Sequence, residues 1–116
     1  MYIKTALTAC VMLASLNASA GCDVNGCSGK GNDVVVSTYV TSHSSGRIYL
    51  QAPASTRNNL DCDLVEGNYM TLSGNHPLFK ESYSTILTAL STNKTLFVRI
   101  KNGSPICEVN YVRMYL

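Results

Sequence analysis

The sequence predicts a small, mainly β domain with a single helix, its elements running β-β-β-α-β-β along the chain. Three observations predict it. Several short segments rich in β-branched residues alternate apolar with polar side chains, as half-buried strands do. A single segment repeats its apolar residues at spacings of three and four, as an amphipathic helix does. The 116 residues, 46% hydrophobic and 14% charged, suit one core and exclude a multidomain enzyme, a coiled coil or a disordered tail.

The chain opens on an export signal. Met1 to Lys4 carries one positive charge, residues 5–16 are apolar, and Ala18-Ser19-Ala20 is the small-x-small pattern a signal peptidase accepts. A signal peptide over 1–20 is expected, with a secreted or periplasmic product. The apolar run is too short to span a bilayer and no later stretch reaches about eighteen apolar residues, so no membrane span is expected. Leu7-Thr8-Ala9-Cys10 and Ser19-Ala20-Gly21-Cys22 have lipobox-like order. The first leaves almost no apolar region, and the second has Ser where an aliphatic residue belongs, so the soluble product is preferred to a lipoprotein.

Removal of the signal takes Cys10 and leaves Cys22, Cys27, Cys62 and Cys107. An even set in a small exported chain reads as a disulfide framework, with three connectivities open. Asp23-Val24-Asn25-Gly26 is a turn-forming segment able to bring Cys22 to Cys27, which leaves Cys62 for Cys107. That second bridge closes the longer loop and is expected to be the main staple. Zinc held by Cys22 and Cys27, with Cys62, Cys107, His43 or His76 completing the site, is the rival; isolated ligands and an oxidising compartment weigh against it.

Residues 21–32, rich in Gly, read as an irregular arm that packs because it is cross-linked, and residues 33–116 read as the folded domain. Within it, 34–41 suits a strand, and His43-Ser44-Ser45-Gly46 a turn. Residues 47–52 alternate Ile48, Leu50 and Ala52 against Arg47, Tyr49 and Gln51. After a polar loop over 53–59, residues 60–65 and 68–72 make strand-like pieces broken near Gly67. Asn75 suits a helix cap and Pro77 the first turn, while Phe79, Tyr83, Ile86, Leu87 and Leu90 share one face. The helix is expected to stop by Thr92-Asn93-Lys94. Residues 95–101 then alternate Leu96, Val98 and Ile100 inward with Phe97, Arg99 and Lys101 outward, and Asn102-Gly103 signals a hairpin into a last strand over 106–115. Five strands with one helix between the third and fourth match the five-stranded Greek-key barrel called the OB-fold, the helix plugging one end. A sheet with the helix across one face is the alternative.

At the helix and the strand after it, Phe79-x3-Tyr83-x3-Leu87 running on to Phe97-Val98-Arg99-Ile100 resembles the B subunits of subtilase cytotoxin and typhoid toxin, as does Val34-Val35-Val36. The chain is also similar to small exported bacterial proteins ending in a Cys-Glu-Val-x-Tyr-Val strand, here Cys107 to Val112. The B-subunit resemblance implies an OB-fold protomer that assembles as a pentameric ring, binds sialylated glycans on host cells and carries an exported catalytic subunit. By the same resemblance the ligand surface falls on Asn32, Arg99 and Asn102. The family's contacting Ser aligns with Asn32 and its Tyr with Asn102, so sialic acid specificity does not carry over. The family's disulfide within the first half of the barrel is likewise absent from this cysteine pattern.

Chemistry beyond binding is thinly supplied. Nine Lys and Arg against seven Asp and Glu, with no charge run, argue against nucleic acid as a partner. Two His, His43 in a Ser-rich turn and His76 at the helix start, read as polar surface residues. His43 with a Ser and Asp33 makes only a nominal triad, with no nucleophile elbow, zinc-protease or phosphate-loop motif beside it. Asp61 and Asp63 around Cys62, with Glu66 nearby, lack the oxygen-rich loop that calcium requires. No catalysis, metal or cofactor is therefore expected. The tyrosines are more informative: Tyr39 and Tyr49 fall on neighbouring predicted strands with Arg47 close by, a combination suited to stacking on a sugar ring or a base, the alternative being half-buried barrel residues whose hydroxyls reach water. Phe97, on the polar side of its strand, is expected to be exposed and available for an oligomer contact.

Overall fold

A computed structural model describes residues 20–116. Residues 1–19 of the expected signal peptide, Cys10 among them, lie outside these described residues. The protein is mainly β with one long helix. Its elements are β1 (Gly21–Cys22), β2 (Gly26–Lys30), a one-turn α1 (Gly31–Val34), β3 (Thr38–Val40), β4 (Arg47–Gln51), β5 (Tyr69–Ser73), α2 (Phe79–Thr92), β6 (Thr95–Ile100) and β7 (Val109–Tyr115). A 3-10 turn at Arg57–Asn59 lies between β4 and β5.

The strands form two antiparallel sheets, one ordered β1-β2-β6-β7 and the other β3-β4-β5. They do not close into the single five-stranded Greek-key barrel expected from the order of elements. The sheets meet at one corner, where Thr71 of β5 bridges in parallel to Glu108 and its N–H donates to the Cys107 carbonyl at 2.9 Å. Between the sheets and α2 lies the core, in which Leu50, Met70, Leu72, Ile86, Leu96, Val98, Ile100 and Val109 are fully buried.

Residues 21–32 are cross-linked as expected but are not irregular. β1 and β2 make a hairpin with Cys22 opposite Cys27, and β2 pairs along its whole length with β6. The turn is held by Asp23, whose carboxylate accepts the backbone N–H groups of Asn25 and Gly26 at 2.7 and 3.1 Å. A side chain at Gly26 would collide with the Val98 carbonyl. This is a packed strand position that only glycine fills, so glycine richness here marks close backbone approach rather than a loose arm.

Two expected strands are shortened or lost. Val34 and Val35 are buried, but as the end of α1 and the residue after it, because the strand over 34–41 is regular only at Thr38–Val40. The piece over 60–65 is a connection pinned by its neighbours: Asp61 N–H donates to the Val24 carbonyl, Asp63 N–H to Ser104, and Gly103 N–H to Asp61. Cys62 and Cys107 are joined there, so both expected disulfides are present. The last strand starts at Val109 rather than 106 because Cys107 takes a left-handed φ of 46°.

The helix ends at Thr92, with Asn93 left-handed at its C-cap, where the sequence places the stop. Its start differs. Leu78 is the N-cap without a side-chain cap, and Asn75 and Pro77 sit in the preceding turn. His76 serves the helix start instead: its Nδ1 accepts the Leu78 N–H at 3.0 Å, so its Nε2–H donates to the Asn110 carbonyl at 2.6 Å. That partly exposed imidazole straps the helix start to β7. The buried stripe also turns, to Ser82, Ile86 and Ala89, leaving Leu87 exposed. Small residues at the centre let α1 approach, since a Cβ at Gly31 would stand 2.7 Å from the Ala89 carbonyl oxygen.

Candidate functional site

The outward face of the β3-β4-β5 sheet carries a cluster of tyrosines. Ile48 and Leu50 on β4, with Met70 and Leu72 on β5, point into the core, and the pleat therefore turns Tyr49 and Tyr69 the other way. Tyr39 stands directly opposite Tyr49 across β3-β4, and Tyr69 lies diagonally across β4-β5. The three ring centroids are 6.0, 5.8 and 6.4 Å apart, with mutual tilts of 37 to 66°. Edge-to-face and tilted contacts of this kind stabilise one another beyond simple burial. Tyr49 and Tyr69 are half-buried, and Tyr39 is 55% exposed.

Two turns complete a pocket of about 350 Å³ over these rings. One runs from Thr41 to Gly46 and contributes Thr41, Ser42 and His43. It is internally braced: the Thr41 hydroxyl donates to the Arg47 carbonyl at 2.9 Å, and His43 Nδ1 accepts the Ser45 N–H at 3.3 Å, with the Ser45 hydroxyl 2.8 Å from the same nitrogen. The other is a tight hairpin in which Val65 and Tyr69 exchange both backbone hydrogen bonds at 3.0 Å, holding Glu66 at the pocket wall. Aromatic surface, hydroxyls, an imidazole and a carboxylate converge in one concave place, the composition of a small-molecule site.

The residues singled out from the sequence are distributed unevenly. Tyr39 and Tyr49 are brought together and line the pocket. Arg47 shares their sheet face, two residues from Tyr49, beside the lining rather than in it. Arg99 and Asn102 are committed elsewhere: the Arg99 guanidinium donates to the Asn25 carbonyl at 2.9 Å, and the Asn102 amide to the Val24 carbonyl at 3.2 Å. Both therefore brace the β1-β2 turn. Asn32 is exposed on α1 and lines a separate shallow hollow together with Asp33, Val36 and Pro53. The surface implied by the B-subunit resemblance thus divides into two places, neither of which is the tyrosine pocket.

Tyr69, Glu66, Thr41, Ser42 and His43 are the pocket residues that sequence reasoning did not assign to a ligand. Tyr69 had a signal, since it precedes the alternation of Met70 and Leu72 on the outward side. What the sequence did not reveal is that β5 pairs with β4, which puts that ring beside Tyr49. His43 belongs to the pocket rather than to featureless solvent, although its hydrogen-bonding to Ser45 is a local turn contact. Among the described residues no group of three His, Cys, Asp or Glu is gathered to hold a metal ion. Also among them, no helix is long and apolar enough to cross a membrane. Phe97 is not the exposed residue its strand pattern suggests: it is half-buried against the Tyr111 ring, 6.0 Å between centroids. Comparison with protein-family models, with curated proteins and with solved structures finds no match to this chain.

Proposed function

We propose that this chain is an exported binding module and that its tyrosine pocket takes a sugar. The observation that carries the reading is three tyrosine rings on one sheet face, roofed by two turns that add hydroxyls, an imidazole and a carboxylate. A pyranose presents an apolar C–H face and a rim of hydroxyls, which are the complements of an aromatic floor and polar walls. Binding rather than catalysis is favoured because the Ser–His contact made by the pocket's histidine, His43 with Ser45, joins residues two apart in an exposed turn and Ser45 is not part of the lining. Two disulfides suit the oxidising compartment to which the export signal points. Kinship with OB-type toxin B subunits belongs to the proposal as well, carried by the sequence resemblance of the helix and the strand after it.

A glycan array probed with the exported protein tests the sugar reading: hits that vanish in Tyr49→Ala, with the melting temperature held, are expected. An array blank for the wild type rejects it. The second reading is a protein-binding or envelope-associated module without sugar affinity. It is favoured by the outer face of β6-β7, where Phe97 packs on exposed Tyr111 and Arg113 lies 5.4 Å from the Tyr115 ring centroid. Aromatic residues with Arg are the side chains enriched at protein interfaces. Native mass spectrometry bears on it: a closed pentamer fits the B-subunit resemblance, and a complex with an exported catalytic subunit would complete the likeness.

A further inference from the structure

The pocket has a charge as well as a shape. Of the residues lining it, Glu66 alone brings a formal charge with histidine neutral. Arg47, the nearest cation on the same sheet face, is not part of the lining. The described residues hold one ion pair, between Lys101 and Glu108, and Glu66 has no such partner among them. A carboxylate ligand such as a sialic acid would therefore meet a like charge at the wall, whereas an ammonium would meet an opposite one.

Among the residues lining the pocket, backbone conformation sets the same one apart. Glu66 has φ of 53° and is followed by Gly67 at 70°. The left-handed region suits Gly or Asn and disfavours a longer side chain. A glutamate kept there in an exposed turn is an outlier of the kind found where a side chain serves a ligand. The turn also sets it beside Tyr69, at the edge of the aromatic floor. With ring centroids 5.8 to 6.4 Å apart and planes tilted by 37 to 66°, an ammonium seated in the cluster meets the face of one ring within about 6 Å of its centroid, the range over which a ring quadrupole attracts positive charge.

We infer that the ligand of this pocket is an amino sugar, whose ammonium rests in the tyrosine cluster and faces Glu66. The inference rests on the sugar-binding reading and adds the charge of the sugar to it. Calorimetric titration of the exported protein at low ionic strength, where charge attraction is least screened, tests it with four probes: N-acetylated chitotetraose, the same tetramer fully deacetylated, sialyllactose and choline. The deacetylated tetramer is expected to bind about tenfold more tightly than its acetylated form, the gain of a partly desolvated cation–π contact with a carboxylate alongside. Glu66→Gln is expected to remove most of that preference with the melting temperature unchanged. Glu66→Asn should remove it and raise the melting temperature, a gain a purely structural glutamate would not yield.

Equal binding of the two tetramers, or tighter binding of sialyllactose, overturns the inference and leaves a sugar site standing. Binding of choline without any sugar overturns the amino-sugar assignment in favour of another ammonium source. Failure of all four probes overturns both this inference and the sugar reading beneath it.

Discussion

Removing the Cys62–Cys107 bridge is expected to cost far more stability than removing Cys22–Cys27, although both join residues of the same sulfur chemistry. The partners are 45 residues apart in the first case and 5 in the second. Constraint of the unfolded chain grows with the logarithm of the loop, giving roughly 4 kcal/mol for the long loop and roughly 2 for the short one. For a domain of this length each kcal/mol moves the unfolding midpoint by about 4–8 °C. Cys62→Ala with Cys107→Ala should therefore lower Tm by about 16–32 °C, and Cys22→Ala with Cys27→Ala by about half as much. Packing losses do not reverse the order, since each pair contains one fully buried cysteine, Cys107 or Cys27. Location reinforces the difference. The long-range bridge anchors the segment whose Cys107 carbonyl receives the Thr71 N–H, where the two sheets meet, whereas the short one closes a hairpin already paired to β6. Thermal melts followed by far-ultraviolet circular dichroism, on proteins whose intact mass verifies the remaining bridge, measure both doubles. Equal losses, or a greater loss from the short loop, would refute the reasoning.

Four further outcomes are expected. Gly31→Ala places a methyl 2.7 Å from the Ala89 carbonyl oxygen and should lose about 1–3 kcal/mol in urea denaturation, as overpacked sites do. Thr71→Val should instead stabilise by about 1 kcal/mol, because the buried Thr71 hydroxyl has no hydrogen-bond partner and an isosteric methyl removes its desolvation cost. Tyr69→Ala should weaken sugar binding by about 1–3 kcal/mol, the scale of one lost aromatic stack, while Tyr69→Phe retains most of it in the same titration. Arg99→Met loses a hydrogen bond to the Asn25 carbonyl and should lower stability by about 1 kcal/mol; retained glycan affinity in that variant would separate the pocket from the surface implied by the B-subunit resemblance.

Legibility varied with how local the deciding physics was. The helix over Phe79–Thr92 and the strand over Thr95–Ile100 fall where the periodicity puts them, because each pattern is set by near neighbours and one buried face. The inward residues of β4 were equally plain. The segment over 34–41 misled, since three consecutive valines state that burial is wanted without saying whether a helical turn or a strand delivers it. Residues 21–32 misled for the opposite reason: their glycines look like loop, yet Gly26 is required by the nearness of Val98, a residue 72 positions on. Two of the three tyrosines of the pocket floor were visible, as Tyr39 and Tyr49 on adjacent strands. Tyr69 and Glu66 were not, because their place depends on β5 joining β4 and on a turn with two left-handed residues.

From the sequence alone follow a mainly β chain with one long helix, a pairing of cysteines and an outward tyrosine pair, all consequences of spacing and composition along a few neighbouring residues. Tertiary structure decided that the strands make two sheets joined at Thr71 rather than one closed barrel. It decided as well that Arg99 and Asn102 brace a turn while Glu66 and Tyr69 complete a pocket. The reason is physical: alternation tells which side chains leave the core, but only hydrogen bonding between distant strands determines which outward side chains become neighbours.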